Sequence, residues 1–182
     1  MMTYLRDSLC VDEERERIVP APRRPRPDPV VPLREDPDRS AGPGMPPRGR
    51  VLIVEDEYFV AMASEDALSD AGFDVVGIAA TADDAVAKAD ATRPDLVLMD
   101  VRLAPPGSAR DGIDAAAEIL ARFGIRSLFA TAHADPGTRA RGEGAAQPLG
   151  WLSKPFSPED LVAAVGAAVA EARRRRSSPG SG

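Results

Sequence analysis

The sequence has little of several residue types on which other protein classes depend. It holds one cysteine, Cys10, and one histidine, His133, in 182 residues. Neither an internal disulfide framework nor a zinc site built from cysteine and histidine is therefore available. A hydrolase of the Ser-His-Asp or Cys-His type would have only His133 as its imidazole base. Aromatic residues make up 4% of the chain, so its core must consist of Val, Leu, Ile and Ala.

Neither the charge nor the apolar segments point to a nucleic acid or a membrane. The formal net charge is −6, whereas general nucleic-acid binders need a basic face that displaces counterions from phosphates. No apolar run approaches the roughly 20 residues that a membrane span requires. Residues 1–11 contain Arg6 and Asp7 instead of the apolar core of a signal peptide. We therefore expect a cytoplasmic protein with no nucleic-acid partner and no membrane partner.

Residues 1–49 differ in composition from the rest of the chain. They contain 10 of the 18 prolines, and nine arginines balance nine acidic residues. Proline lacks a backbone donor and disfavours helix in the residue before it, so we predict a disordered Pro/Arg-rich extension over 1–49. Met45, just before the regular part of the chain, is an alternative start to Met1. Residues 175–182 begin basic and then become rich in serine, proline and glycine, and we expect a flexible tail there.

Strand and helix patterns alternate through residues 50–174. Short apolar runs predict strands at 51–54, 74–80, 95–99, 126–131 and 149–153. Mixed apolar and polar patterns predict helices at 57–71, 81–91, 111–123 and 157–174. Gly72, Thr81 and Ser157 are typical capping residues at three of these boundaries. Strands that are apolar throughout indicate a parallel sheet covered on both faces, so the predicted class is α/β with a doubly wound sheet.

Residues 135–148 carry the weakest helix pattern. The segment contains three glycines and two prolines, both of which oppose helix formation. We expect a fourth helix there to be short or mobile, with low local stability. Our hypothesis is that partner binding orders this segment, and full hydrogen-exchange protection in the free protein would contradict it.

Polar residues cluster where the predicted strands end. Glu55 and Asp56 follow the first strand, Asp100 ends the third, Thr131 ends the fourth and Lys154 follows the fifth. In doubly wound folds the ligand site lies at the carboxyl ends of the strands. Three carboxylates on one rim repel one another without a cation, and a hard divalent ion such as Mg²⁺ supplies that charge. A carboxylate can also accept a phosphoryl group, and a neighbouring lysine can pair with the phosphoryl oxygens.

Taken together, these motifs resemble the receiver domain of two-component response regulators. The resemblance covers residues 50–174 and rests on four pieces in order: VLIVEDE at 51–57, LVLMDV at 96–101, Thr-Ala at 131–132 and Lys-Pro-Phe at 154–156. It implies a flavodoxin-like (βα)5 fold with a five-stranded parallel sheet in the strand order 2-1-3-4-5. Since only a short tail follows the last helix, we expect the stand-alone type, whose output is protein binding or phosphoryl relay.

The resemblance implies a Mg²⁺ cofactor at this rim. Asp56 would bind the metal directly and Glu55 through water. Asp100 would bind the metal and also take a phosphoryl group from a histidine kinase or a histidine phosphotransfer protein. The backbone carbonyl of Arg102 would be a further metal ligand.

The resemblance also implies how phosphorylation would change the protein. Thr131 would hydrogen-bond to the phosphoryl group and Lys154 would pair with it, and the Lys154–Pro155 bond is expected to be cis. As Thr131 moves toward the phosphoryl group, the Trp151 ring would turn inward and change the surface formed by residues 135–160. A downstream protein partner is expected on that surface, and the protein itself is expected to be a monomer or a weak homodimer.

Three features depart from the usual receiver pattern. Trp151 stands where a Tyr or Phe is usual, and we expect the larger indole to be buried less easily. Residues 104–108 look like an insertion of a few residues in the loop after Asp100. The Phe-Ala-Thr sequence at 129–131 is similar to that of a receiver subgroup with a Phe-Ala-Thr-Gly signature, some of whose members are linked to general stress signalling. Ala132 replaces the glycine here.

Two other functions remain open at this stage. One is an enzyme, a metal-dependent phosphatase or phosphotransferase that forms an aspartyl phosphate. Such enzymes usually carry a second Asp two residues after the nucleophile, where this chain has Arg102. The other is a pseudo-receiver that binds its partner without phosphorylation, and the complete acidic, Thr and Lys set weighs against it.

Overall fold

A computed structural model describes residues 46–103, 110–132 and 135–177. The strands are β1 (Arg50–Val54), β2 (Asp74–Ala79), β3 (Leu96–Asp100), β4 (Ser127–Thr131) and β5 (Gly150–Ser153). The helices are α1 (Tyr58–Asp70), α2 (Ala82–Thr92), α3 (Gly112–Phe123), α4 (Pro136–Ala146) and α5 (Pro158–Ser177). The residues of the predicted insertion at 104–108 and of most of the predicted N-terminal extension lie outside the described ranges, as does His133.

The five strands form one parallel sheet in the order β2-β1-β3-β4-β5. One hydrophobic cluster joins a face of this sheet to α2, α3 and α4, and a second cluster joins the opposite face to α1 and α5. Each central strand is buried along its apolar length, because helices cover it on both sides. The predicted doubly wound α/β fold and its strand order are confirmed.

Local capping explains several of the helix boundaries. The Thr81 hydroxyl accepts a hydrogen bond from the Asp84 amide at 3.2 Å at the start of α2, and the Ser157 hydroxyl accepts one from the Asp160 amide at 3.1 Å at the start of α5. Gly72 follows α1 with a φ of 83°, a left-handed value that favours glycine. These three boundary residues therefore lie where the sequence predicts them.

Helix α4 has ordinary length in spite of its glycines. It spans 11 residues, the same number as α2, so of the two alternatives expected there, a short helix or a mobile one, the first is wrong. Asp135 caps its first turn, since its carboxylate accepts hydrogen bonds from the amides of Gly137 and Thr138. The low local stability of α4 stays a prediction.

Helix α5 extends beyond the predicted end of the folded domain. It continues through Ser177, so residues 175–177 of the expected flexible tail are helical. Near its C-terminus, Arg173 and Arg176 form ion pairs with Asp95 at 3.0 and 3.3 Å. These two ion pairs link the end of α5 to Asp95, the residue that directly precedes β3. Among the residues that the structure describes, no helix combines the length and apolar character needed to cross a bilayer.

Candidate functional site

The predicted carboxylates meet at one edge of the sheet. Glu55 and Asp56 follow β1, and Asp100 ends β3, which is the parallel neighbour of β1. Glu55 and Asp100 are 6% and 7% exposed, whereas Asp56 is exposed. Each of the three offers a carboxylate oxygen, and these atoms all lie within 4.8 Å of one another. The parallel sheet thus brings together residues that are 45 positions apart in the sequence.

Lys154 bridges the two buried carboxylates. Its Nζ donates hydrogen bonds to Glu55 Oε2 at 2.5 Å and to Asp100 Oδ2 at 2.6 Å. The backbone positions it, because the Lys154 amide donates to the Thr131 carbonyl at 2.9 Å. The Lys154–Pro155 bond is cis, as the resemblance implies. The ammonium therefore offsets part of the negative charge of the rim.

Burial and charge shift the pKa values within this group. Burial raises the pKa of Glu55 to about 7, and the negative charge of Asp100 adds to the effect, although the hydrogen bond from Lys154 opposes it. Burial disfavours the Lys154 ammonium, but hydrogen bonds from it to Asp100 and Glu55 outweigh that cost and hold the pKa of Lys154 above its usual value. Lys154 is therefore charged at neutral pH, whereas burial disfavours the charged form of Glu55 even beside this ammonium.

The chemistry of this group suits a hard divalent cation. Mg²⁺ prefers carboxylate and carbonyl oxygens and keeps several of its waters, and Glu55, Asp56 and Asp100 present such oxygens around one point. The Arg102 amide donates to Asp100 Oδ1 at 2.9 Å, which places the loop after β3 beside the same carboxylate. The role of the Arg102 carbonyl as a further ligand stays a prediction.

Thr131 lies on the same rim, one strand further along. It ends β4, and the preceding residue, Ala130, is the register partner of Asp100. Thr131 is 2% exposed. The fold thus places Asp100, Thr131 and Lys154 at the ends of β3, β4 and β5, which is the arrangement that the sequence predicts.

Trp151 packs inward although it is larger than the residue usual at its position. Its ring is half-buried against Phe129, with the ring centroids 4.7 Å apart, and the Arg139 guanidinium lies 5.1 Å from the ring centroid. A Cβ atom at Gly142 would lie only 2.8 Å from Cζ2 and Cη2 of the indole. Gly142 of α4 therefore provides the space for the ring. The expectation that the indole is buried less easily than a Tyr or Phe did not take account of the space left by this glycine.

Gly112 is a second glycine whose role the sequence analysis missed. It begins α3, and a Cβ atom there would overlap the backbone carbonyl oxygen of Asp100. Its amide also donates to the Val101 carbonyl at 3.1 Å. The N-terminus of α3 therefore packs directly on the backbone of Asp100. The sequence offered one signal, a glycine directly after the capping residue Asp111, where a helix has no local need for glycine.

The same helix start is also linked to α4. Asp111 and Asp114 form a capping box at the N-terminus of α3. The Arg141 guanidinium pairs with the Asp111 carboxylate and lies 3.8 Å from that of Asp114. This ion pair thus links α4 to the start of α3, which packs on the backbone of Asp100. Helix α4 also packs against Trp151 through Gly142.

Comparisons with known proteins agree with this geometry. Residues 51–166 match the family described as the response regulator receiver domain. The transcriptional regulatory protein PdtaR of Mycobacterium tuberculosis is 41% identical over 68% of this chain and 58% of its own length. The phyllosphere-induced regulator PhyR of Methylorubrum extorquens is 36% identical over 69% of this chain and 46% of its own length. The chain therefore matches only about half the length of these curated relatives.

Solved structures show the same fold. The signal receiver domain of a modulated diguanylate cyclase from Desulfovibrio desulfuricans has a TM-score of 0.63 and 31% identity, covering 70% of this chain and 98% of that one. The response regulator PhyR from Brucella abortus has a TM-score of 0.57 and 31% identity, covering 70% of this chain and 50% of that one.

Proposed function

The chain belongs to the response regulator receiver domain family, and on that premise we propose that it is a signalling switch whose Asp100 accepts a phosphoryl group. The observation that carries the proposal is the group formed by Asp100, Glu55, Asp56 and Lys154 at the strand ends. Lys154 contacts an oxygen of Asp100 at 2.6 Å, so it already lies where the charge of an acyl phosphate would develop.

In the proposed reaction, a carboxylate oxygen of Asp100 attacks the phosphorus of a phosphohistidine. The bond between phosphorus and the imidazole nitrogen breaks, the nitrogen takes the electron pair and then a proton, and an acyl phosphate forms on Asp100. Glu55, Asp56 and Asp100 would hold Mg²⁺, which when bound would offset the negative charge of the phosphoryl oxygens. Lys154 and Thr131 would then pair with those oxygens.

The proposed donor is a histidine kinase or a histidine phosphotransfer protein, as the family implies. The proposed output surface is 135–160, because it holds both Trp151 and α4. Arg139 and Gly142 of α4 contact the Trp151 ring, so a movement of that ring changes the packing of α4. A cytoplasmic location and a monomeric or weakly dimeric state are part of the same proposal.

A labelling experiment tests this function. The wild-type chain is incubated with radiolabelled acetyl phosphate and Mg²⁺, and we expect the protein to take up label. No label should be taken up when EDTA is present from the start of the incubation. Asp100→Asn should take up no label. Asp66→Asn is the matched control, since Asp66 is an exposed carboxylate of α1, and it should label like the wild type. Label on Asp100→Asn would assign the phosphoryl group to another residue. Absence of label on the wild type would favour a pseudo-receiver.

A further inference from the structure

The start of α3 carries two carboxylates close together. The Asp111 carboxylate accepts hydrogen bonds from the amides of Ile113 and Asp114 at 2.9 and 3.1 Å, and the Asp114 carboxylate accepts one from the Asp111 amide at 3.2 Å. A capping box usually joins Ser or Thr to Glu or Gln and so contains at most one charge. Here it contains two like charges three positions apart, and like charges at helical spacing repel. A positive charge beside this box therefore stabilises the start of α3.

Arg141 of α4 supplies that positive charge. Its guanidinium forms an ion pair with the Asp111 carboxylate, and its Nη1 lies 3.8 Å from Asp114 Oδ1. A side chain of one helix thus completes the cap of another. The Arg141 side chain is 48% exposed, and ion pairs in such surroundings contribute little free energy. A movement of α4 is therefore enough to break this contact.

Helix α4 is attached lightly to the rest of the fold. Its buried residues are Gly142 and Ala146, which are small and bring little apolar area to the core. Gly142 directly follows Arg141 in the chain and packs against the indole of Trp151. Because the two residues are neighbours on one helix, a shift of α4 that changes the packing on Trp151 also moves Arg141 relative to the start of α3.

The start of α3 in turn lies against the backbone of Asp100. A Cβ atom at Gly112 would overlap the Asp100 carbonyl oxygen, and the Gly112 amide donates to the Val101 carbonyl at 3.1 Å. The amide of Arg102, the next residue along, donates to Asp100 Oδ1 at 2.9 Å. A change in the first turn of α3 therefore reaches the backbone segment that orients the Asp100 carboxylate.

We propose that Arg141 is a positioning residue for the Asp100 site: from α4 it holds the start of α3 against the Asp100 backbone, so that the reactivity of Asp100 depends on the position of α4. The inference rests on the proposed function of Asp100 and deepens it, because it names a contact that regulates the same site. The contact lies outside the pathway through Thr131 and Trp151, since it reaches Asp100 through α3.

The test measures two rates in variants of the full chain. One is the initial rate of labelling by acetyl phosphate at saturating Mg²⁺, and the other is the hydrogen-exchange rate of the Gly112 amide. In Arg141→Gln we expect labelling to slow about two- to five-fold and exchange to rise by a similar factor, the range that follows from losing an exposed ion pair. Arg141→Lys, which keeps the charge, should restore most of both rates. Arg174→Gln is the matched control, since Arg174 is an exposed arginine paired with Glu171 on α5, and it should behave like the wild type.

A double-mutant cycle separates a role at the helix cap from a general effect on α4. Asp114→Asn removes one of the two charges of the capping box and keeps an oxygen that can accept the Asp111 amide. If Arg141 acts by offsetting the paired charges, Arg141→Gln should slow labelling less in the Asp114→Asn background than in the wild type. Equal slowing in both backgrounds would overturn the proposal.

Three other results would also overturn it. Unchanged labelling and exchange in Arg141→Gln would show that the start of α3 does not depend on α4. Faster exchange with unchanged labelling would show that Asp100 does not depend on the start of α3. Equal slowing in Arg174→Gln would show a general effect of charge. If the wild type takes no label, the proposed function of Asp100 fails, whereas exchange at Gly112 still reports whether Arg141 holds the start of α3.

Discussion

The packing of Trp151 against Gly142 leads to a prediction with a control in the same helix. In Gly142→Ala, the new Cβ atom would lie 2.8 Å from two atoms of the indole and 3.3 Å from Phe129 Cε2. Contacts below 3.0 Å are not tolerated, so the ring or the helix must move. Gly144→Ala is the matched control, because a Cβ atom there meets no atom within 4 Å.

The expected changes in the free energy of unfolding follow from two opposing effects. Replacing glycine by alanine inside a helix stabilises it by about 1 kcal/mol, and this is the whole effect expected for Gly144→Ala. Overpacking costs about 1–3 kcal/mol, so Gly142→Ala should lie between no change and about 2 kcal/mol of destabilisation. The indole Nε1 is buried without a hydrogen-bond partner among the described residues, which costs about 1–3 kcal/mol. Movement of the ring into water would remove that cost and so offset part of the lost packing.

Intrinsic fluorescence reports the outcome, because Trp151 is the only tryptophan in the chain. We expect the emission of Gly142→Ala to shift to longer wavelength as the ring meets water, while that of Gly144→Ala matches the wild type. Urea unfolding should separate the stabilities of the two variants by about 1–3 kcal/mol. Identical emission and identical stability in both variants would refute the view that Gly142 makes room for the ring.

Three further predictions concern contacts away from that helix. Gly112→Ala should lower the free energy of unfolding by about 3 kcal/mol or more, because its Cβ atom overlaps the Asp100 carbonyl and backbone yields little. A urea titration no different from that of Gly144→Ala would contradict this. Lys154→Met should cost about 3 kcal/mol at pH 8 by leaving the Glu55 and Asp100 carboxylates uncompensated. Mg²⁺ should then stabilise the variant more than the wild type, and an equal effect on both would count against the shared site. For Asp95, hydrogen bonds and ion pairs with arginines outweigh burial and hold the pKa below its usual value. Its contribution, about 1–2 kcal/mol, is therefore present above the usual pKa of an Asp and is lost as the pH falls through the lowered one. Unfolding curves of the wild type and Asp95→Asn should converge in acid, and a gap that is constant with pH would exclude this ion-pair role.

Much of the fold could be predicted because its signals are local. The apolar runs at 51–54 and 95–99 mark buried parallel strands, and Thr81 and Ser157 mark helix starts, since each depends on a few neighbouring residues. The contacts at the end of the last helix involve a distant residue that no local pattern indicates. Helix α5 continues to Ser177, and its terminal arginines pair with Asp95, about 80 positions earlier in the chain.

The candidate site likewise has features that the sequence predicts and a contact that it does not. Once a parallel sheet is inferred, its carboxyl ends must converge, so Asp56, Asp100, Thr131 and Lys154 could be placed on one rim from their positions after the strands. No local pattern showed that Lys154 contacts Glu55 as well as Asp100. That contact depends on the spacing of strands β1, β3 and β5 across the sheet.

The sequence by itself determined the alternation of strands and helices and the residue types that meet at the strand ends, because hydrophobic period and capping act over a few residues. Only the tertiary structure decided that Gly112 packs on Asp100, that Gly142 admits the Trp151 ring, and that Arg141 pairs with Asp111 at the start of α3. These features depend on how each helix is rotated and how closely it approaches the sheet. Side chains from many parts of the chain set that geometry together.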